Sequence, residues 1–396
     1  MRRASIIGAA ALPVGRMMPG EGATGGVFEA ERLTPVIRRA VKDAGIEMSD
    51  IVSAVFAANP PTTRQLGFSV NMAARLGLKC KGQLSEVANL GISGGVAFDQ
   101  AVADVELGRA DIAIAAGILY QSAIKGHEGM EHGVRAVGDA DWQAPFGFTP
   151  ISWYALDAAR YFYETRLNPD DLAHVAVKSR RWSANNPIAQ FRDPVSVDEA
   201  RSSDLIVDPL RLHDIPQRAD GAVCFVIARD EIAANLRSDR VRIAARGFAH
   251  DGRHQIGDEP HDMTDFPAAR EAAAAALGAA RLRLQDIDLF ELYAPCSITE
   301  VLVAEAIGLF GRGDALGATR EGRTSPGGDV ALNTSGGCLA RGHPPTNTGL
   351  YGLYELFEQL RGAAGARQVK GSARGLHICE LGNYNAALVH VLERAA

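Results

Sequence analysis

Asn333-Thr334-Ser335-Gly336-Gly337-Cys338-Leu339-Ala340-Arg341-Gly342-His343-Pro344 is the stretch whose residue types most readily do chemistry. Paired glycines, an Asn and a His-Pro make a poor helix or strand interior and suit a tight loop whose backbone approaches something closely. The loop ends in an imidazole, the side chain suited to proton transfer near neutral pH. Leu350, Leu353, Tyr354 and Phe357 then repeat at helical spacing, and Gly362 supplies a stop. A histidine and backbone amides at a loop-to-helix junction would favour an anion. The same letters also spell a glycine-rich surface turn with an exposed His, and the stretch alone does not choose.

Two further stretches carry reactive groups. Tyr293-Ala294-Pro295-Cys296 lies between an apolar strand, 288–292, and the run Leu302, Ala306, Leu309. A phenol and a thiol at a strand-to-helix junction suit catalysis, since sheet ends collect sites. A buried Tyr and a packing Cys are the plainer alternative. Ser297-x-x-Glu300 reads as a capping box that starts the following helix. Cys379 sits late in an apolar strand before Gly382, where a lone cysteine is usually core. Other motifs fall away. Gly20-Glu21-Gly22-Ala23-Thr24-Gly25 fits G-x-G-x-x-G, but the next helix is expected only at Leu33, which argues against a dinucleotide site. His127-Glu128 and His132 are spaced one residue too far apart for a zinc-protease helix, and Cys-x-x-Cys does not occur.

The elements that must position these residues repeat. Leu33–Ala44 reads as a helix capped by Thr34 with Pro35 at its first position, followed by a strand at 51–57. About 236 residues later a helix at 268–280, opened by Pro267, leads to the strand 288–292. Gly94-Gly95 opens a helix ending at Gly108 and followed by the strand 112–116. The helix after His343 is likewise followed by the strand 376–380. Each half closes on an apolar strand, 222–228 and 386–392, which points to an internal duplication of layered α/β halves. The second half joins its last two strands by a short turn, 382–385. The first half has roughly a hundred residues there, about 118–220, containing Trp142, Trp153 and Trp182 and a helix near 155–165. Such an insertion suits a substrate lid or an oligomer contact.

The bulk numbers fit a soluble enzyme-sized chain. At 396 residues, 47% hydrophobic and 22% charged, it has ample core. A net charge of −6 without a Lys/Arg block argues against nucleic acid as a partner. The opening MRRASIIGAAALP reads as a first strand, 4–10, rather than a signal peptide, and no segment has membrane length. Five scattered cysteines suit reduced thiols and a cytoplasmic location.

Taken together, the stretches resemble the thiolase superfamily, in particular its SCP2-thiolase branch. Asn333 to Pro344 is similar to the family's N-x-x-G-G-x-x-x-x-G-H-P motif at every fixed position. Glu291-Leu292-Tyr293 through Glu300 resembles the branch's E-L-H-D-C-F-T segment. Cys379-Glu380-Leu381-Gly382 falls where the family has C-x-G-G, and Asp220-Gly221-Ala222 matches its D-G-A. The resemblance implies two duplicated βαβαβαββ halves in an α-β-α-β-α arrangement: residues 1–117 with 221–235, an inserted loop domain at 118–220, and 236–396. It implies acyl-coenzyme A thioesters as substrates, no covalently bound cofactor, and a homodimer or tetramer. It further implies an associated OB-fold, zinc-ribbon acyl-CoA protein as a partner. His343 would hold the thioester oxygen, Cys379 would move protons at the α-carbon, and Asn333, Gly336, Gly337, Gly342 and Gly382 would shape the oxyanion side.

The sequence departs from that family where its nucleophile should be. The C-x-S-G that opens a helix and carries the acyl group is here Gly91-Ile92-Ser93-Gly94. Glycine holds no acyl group. The His and Asp of E-L-H-D are Tyr293 and Ala294, and the first glycine of C-x-G-G is Leu381. Three readings follow: an acyltransferase-class or C–C lyase enzyme working through an enolate, with Tyr293 as a third catalytic group and retro-aldol cleavage among its reactions; acyl transfer through Cys296 or Cys338, neither of which the pattern puts at a helix N-terminus; and a non-catalytic acyl-CoA-binding or scaffolding subunit.

Overall fold

The computed structural model describes residues 2–17, 25–58, 65–123, 137–253 and 262–395. The His127-Glu128-His132 pattern and the body of the Gly20–Gly25 run lie outside them.

The first half is built from β1 (Ala4–Ala11), helix α1 (Gly25–Ala44), β2 (Ser53–Ala57), α2 (Phe68–Leu76), β3 (Leu84–Val87), α3 (Ser93–Glu106) and β4 (Ile112–Leu119). The insertion follows, with α4 (Pro150–Thr165), α5 (Ala173–Ser183) and a small ribbon, β5 (Leu205–Val207) and β6 (Leu210–Arg211). The chain then returns as β7 (Gly221–Arg229) and enters the second half. This comprises β8 (Val241–His250), α6 (Pro267–Ala280), β9 (Leu289–Leu292), α7 (Ser297–Ala306), β10 (Ala331–Leu332), the single turn α8 (Gly337–Ala340), α9 (Thr348–Leu360), β11 (Arg374–Leu381) and β12 (Ala386–Arg394).

The strands form one mixed sheet in the order β10-β9-β11-β12-β8-β1-β7-β4-β2-β3. Outward from the central β1–β8 pair, the two wings run in the same order of equivalent strands, so the duplication extends to topology. It extends to packing as well. A β-carbon on Gly8 of β1 would fall 2.5 Å from the Ala40 carbonyl of α1, and one on Gly247 of β8 would meet Ala272 of α6. Each first strand therefore lacks a side chain where its outer helix crosses closely. One apolar cluster joins α3 and α9 to the inner faces of the strands, for example Phe98, Val102, Phe225, Leu353 and Phe357. A second lies between the first wing and α1 and α2, and a third between the second wing and α6 and α7. Helix, sheet, paired central helices, sheet and helix make the five layers expected.

Several local expectations need correction. The first helix begins at Gly25, not Leu33, with Pro35 inside it. Thr34 does not cap; its hydroxyl donates to the Ala30 carbonyl one turn back, at 2.7 Å. Glu31, whose carbonyl loses its partner to Pro35, is exposed, so water can serve it. The helix thus starts at the last residue of the Gly20–Gly25 run, and the spacing ground for setting that run aside falls. At Ser297-x-x-Glu300 the N-cap is Cys296. Ser297 donates instead to Asp214 at 2.7 Å, and Glu300 binds Lys178 and Asn333. The strand β8 was not expected. Its arginines disguise it, yet it pairs with β12 along most of its length.

Candidate active site

Tyr293 follows the C-terminal end of β9, and its backbone N–H continues the ladder by donating to Ile378 O of β11. Its phenolic oxygen lies 2.9 Å from His343 Nε2 and 3.3 Å from the Pro345 carbonyl. Gly91 sits in the turn that opens α3. A β-carbon there would fall 2.8 Å from the Tyr293 hydroxyl and 3.2 Å from the Glu380 carbonyl. The phenol therefore occupies the space over Gly91. Tyr293, Cys379, Cys338, Ile92 and Leu388 form a small buried cluster around this point.

The loop that carries His343 is held at many points. Asn333, in left-handed backbone at φ 53°, accepts from Leu292 N at 2.7 Å and donates to Glu300 at 2.6 Å. Its amide thus ties the loop to β9 and α7. Glu300 also takes Lys178 Nζ of α5 at 2.5 Å, a fully buried ion pair. Glu291 accepts from Ser335 N and Ser335 Oγ at 2.9 and 2.8 Å. Gly336 is the left-handed N-cap of α8, and Gly337, also left-handed, donates to Ser335 Oγ at 3.1 Å. Gly342, at φ 109°, has Val14 and Gln190 so close that a β-carbon would lie 2.5 Å from the first and 2.8 Å from the second. From the insertion, Gln190 N and Phe191 N donate to Arg341 O and Ala340 O, and Asn186 Nδ2 donates to Ser335 O. One task of the insertion is therefore to clamp this loop.

Cys379 is fully buried. Its sulfur lies against Gly95 of α3 and 3.5 Å from where a β-carbon of Gly349 would be. Beyond it the chain turns through Gly382, Asn383 and Tyr384, all at positive φ. Tyr384 donates its hydroxyl to the Tyr293 carbonyl at 2.5 Å, and its N–H to Glu380 at 3.2 Å. Cys296 and Cys338 do stand at helix starts, contrary to expectation, as the N-cap of α7 and in the first turn of α8. Both are buried.

Burial sets the protonation states. It pushes the Tyr293 phenol well above its ordinary value, with Glu380 adding to the effect. Burial, helped by the Arg341 cation, pushes His343 down to about 3. At neutral pH this is a neutral phenol hydrogen-bonded to a neutral imidazole, one donating and the other accepting as the imidazole tautomer dictates, without net charge. Burial also raises the Cys379 thiol far above its usual range and the Cys338 thiol to about 12. Cys296 rises likewise, burial leading and Asp214 adding. None of the three is poised as a thiolate.

Two acids, Glu380 beside the tyrosine and Asp157 beside Asn383, were not singled out in the sequence. Glu380 is buried, and burial raises it to about 7 against the pull of the Tyr384 and Asn383 N–H groups. Asp157 of α4 is 1% exposed, and burial raises it to about 8. The available signal was an acid inside an otherwise apolar strand or helix face, which is costly unless it serves something.

A family model described as thiolase C-terminal domain-like matches residues 249–394. The chain is 33% identical over 358 residues to an acetyl-CoA acetyltransferase of Methanothermobacter thermautotrophicus, covering 90% of this chain and 92% of the relative. It is 28% identical over 375 residues to a steroid side-chain-cleaving aldolase of Thermomonospora curvata, covering 89% and 92%. Among solved structures, the Ltp2-ChsH2(DUF35) aldolase superposes with a TM-score of 0.83 at 24% identity, over 99% of this chain and 98% of that one.

Proposed function

The chain belongs to the thiolase superfamily, on its SCP2-thiolase branch, and from that premise we propose that it makes or breaks a C–C bond beside an acyl-CoA thioester through a stabilised enolate, without an acyl-cysteine. The observation that carries this is the Tyr293 hydroxyl, standing over Gly91 and 2.9 Å from His343 Nε2. Where an acyl-carrying thiol would sit, a hydrogen-bond donor sits instead.

The chemistry follows from that pair. The costly species is an enolate, whose oxygen carries the developing charge. With Nε2 protonated, the neutral His343 imidazole donates to the Tyr293 oxygen and leaves the phenolic O–H to be aimed at the enolate oxygen, and in a buried site such a donor stabilises it more than in water. Fixing both on the ends of β9 and a clamped loop removes reorganisation at the moment of reaction. Cys379, a neutral thiol beside the pair, supplies the α-carbon proton to the enolate, and the thiolate so formed is reprotonated by the proton released from the 3-hydroxyl. For a 3-hydroxyacyl thioester the hydroxyl proton leaves and the α–β bond breaks. A carbonyl compound departs, and the enolate takes a proton at the α-carbon. The similarity to the Thermomonospora curvata aldolase favours this retro-aldol direction. Acyl transfer through Cys296 or Cys338 is disfavoured by the burial of both thiols.

The filling of the space over Gly91 by Tyr293 also supports a second reading, an acyl-CoA-binding subunit that works only within a complex. An acyl-CoA-associated OB-fold, zinc-ribbon protein is the partner proposed for it. The test is intact-mass measurement after incubation with acyl-CoA, alongside assay of 3-hydroxyacyl-CoA cleavage with and without such a partner. Cleavage with no acyl adduct is expected. An acyl adduct would overturn the enolate reading, and binding without turnover in every combination would replace it by the second.

A further inference from the structure

Asp157 is a buried carboxyl whose oxygens meet only the Asn383 side chain, in a contact too long for a full hydrogen bond, among the described residues. It projects from α4, in the insertion, toward the turn Gly382-Asn383-Tyr384. The side-chain amide oxygen of Asn383, Oδ1, is itself buried and unpartnered. The other titratable groups around it are Tyr154 of α4 and Cys296 at the start of α7. No cation faces it in the described residues. The turn is held at a conformational cost. Asn383 and Tyr384 are consecutive non-glycine residues at φ 56° and 61°, a backbone that persists only when its surroundings enforce it and that gathers at functional sites. The enforcement comes from the reaction centre itself: Tyr384 bonds the Tyr293 carbonyl at 2.5 Å and Glu380 at 3.2 Å. Two buried polar side chains that bond each other only weakly thus meet at one end of the Tyr293 segment, one from the insertion and one from the strained turn.

We propose that Asp157 and Asn383 form a subsite that binds a hydroxyl group on the acyl portion of the substrate, so that the protein selects 3-hydroxyacyl thioesters over their deoxy counterparts. A hydroxyl fits because it both donates and accepts, which satisfies a carboxyl and an amide together. A substrate carboxylate would meet Asp157 and Glu380, and an ammonium would give up its hydration in a site with little else to replace it. A site built to bond a hydroxyl rejects the analogue lacking one, because its own polar groups then stay unpaired.

The inference rests on the acyl-CoA reading above. Calorimetry with butyryl-CoA and 3-hydroxybutyryl-CoA (both enantiomers) tests it on the intact chain, without requiring turnover. The wild type should bind one hydroxy enantiomer at least about tenfold tighter than butyryl-CoA. Asp157→Leu should bind the two alike while keeping its affinity for butyryl-CoA. Its thermal midpoint should not fall, since it replaces a weakly bonded buried carboxyl by an apolar side chain of similar size. Asp157→Asn, which retains a donor and an acceptor, should keep part of the preference. Equal binding by the wild type, or a preference that survives in Asp157→Leu, would overturn the subsite. Failure of the wild type to bind either thioester would instead overturn the acyl-CoA reading, and the subsite with it.

Discussion

At the scale of single residues, the space over Gly91 is filled by Tyr293. A thiol cannot simply be placed at position 91 while that ring is there. Gly91→Cys places a β-carbon 2.8 Å from the phenolic oxygen, inside van der Waals contact, so the ring or the α3 turn must shift. The single variant is expected to lose stability and to form no acyl adduct by intact mass. Gly91→Cys with Tyr293→Asn, which removes the ring, should recover stability and is the variant in which an adduct becomes possible. An adduct on the single variant would mean that Tyr293 does not guard the position. Protonation is a second test at this scale. Asp157 and Glu380 have folded-state pKa values raised by burial to about 8 and about 7. For an acid raised in this way, the stability contribution is present below the ordinary carboxyl range and is lost as pH climbs through the folded value. Urea midpoints should therefore decline between about pH 5 and 8, and the decline should flatten in Asp157→Asn. A wild-type midpoint that rises over that range would contradict the burial argument.

At the scale of elements, the His343 loop depends on polar groups buried beneath it rather than on its glycines alone. Lys178 of the insertion and Glu300 of α7 form a dry ion pair that also anchors Asn333. Lys178→Met leaves Glu300 buried without its cation and is expected to cost about 3–5 kcal/mol in chemical denaturation. A loss under about 1 kcal/mol would show that Glu300 relaxes by another route, such as taking up a proton. The sequence made much of this architecture legible. Alternating apolar strands and glycine-stopped helices were readable because burial imposes periods of two and 3.6 on the residues that carry it. The His-Pro loop was readable because its glycines answer to backbone geometry. The start of α1 was misread because Pro35 sits on an exposed face, where a helix tolerates it. β8 was missed because Arg242 and Arg246 are neutralised by Asp230, Glu393, Asp99 and Glu106, partners distant in sequence. Asp157 and Glu380 were legible only as acids on otherwise apolar faces; that neither meets a cation is a property of the fold.

At the scale of the whole molecule, the ten-stranded sheet ends on β3, whose Leu84 is exposed. Leu66, Val70 and Leu90 are exposed around the same edge. Among the described residues this strand edge is unpaired and has apolar neighbours, the kind of site that pairs, and we propose a homodimer through β3. Sedimentation should show a dimer for the wild type and a monomer for Leu84→Lys with Val70→Glu; a wild-type monomer would contradict this. No described helix is long and apolar enough to cross a membrane. The duplicated wings, the clamped loop and the insertion converge on the neutral, hydrogen-bonded Tyr293–His343 pair, which we propose stabilises an enolate. The most direct measurement is the rate at which butyryl-CoA takes up deuterium at its α-carbon from D2O, followed by mass spectrometry. The wild type should exchange well above the uncatalysed rate, and Tyr293→Phe and His343→Ala should each slow exchange by about 10²–10³-fold. Exchange that is absent in the wild type, or undiminished in both variants, would contradict the account.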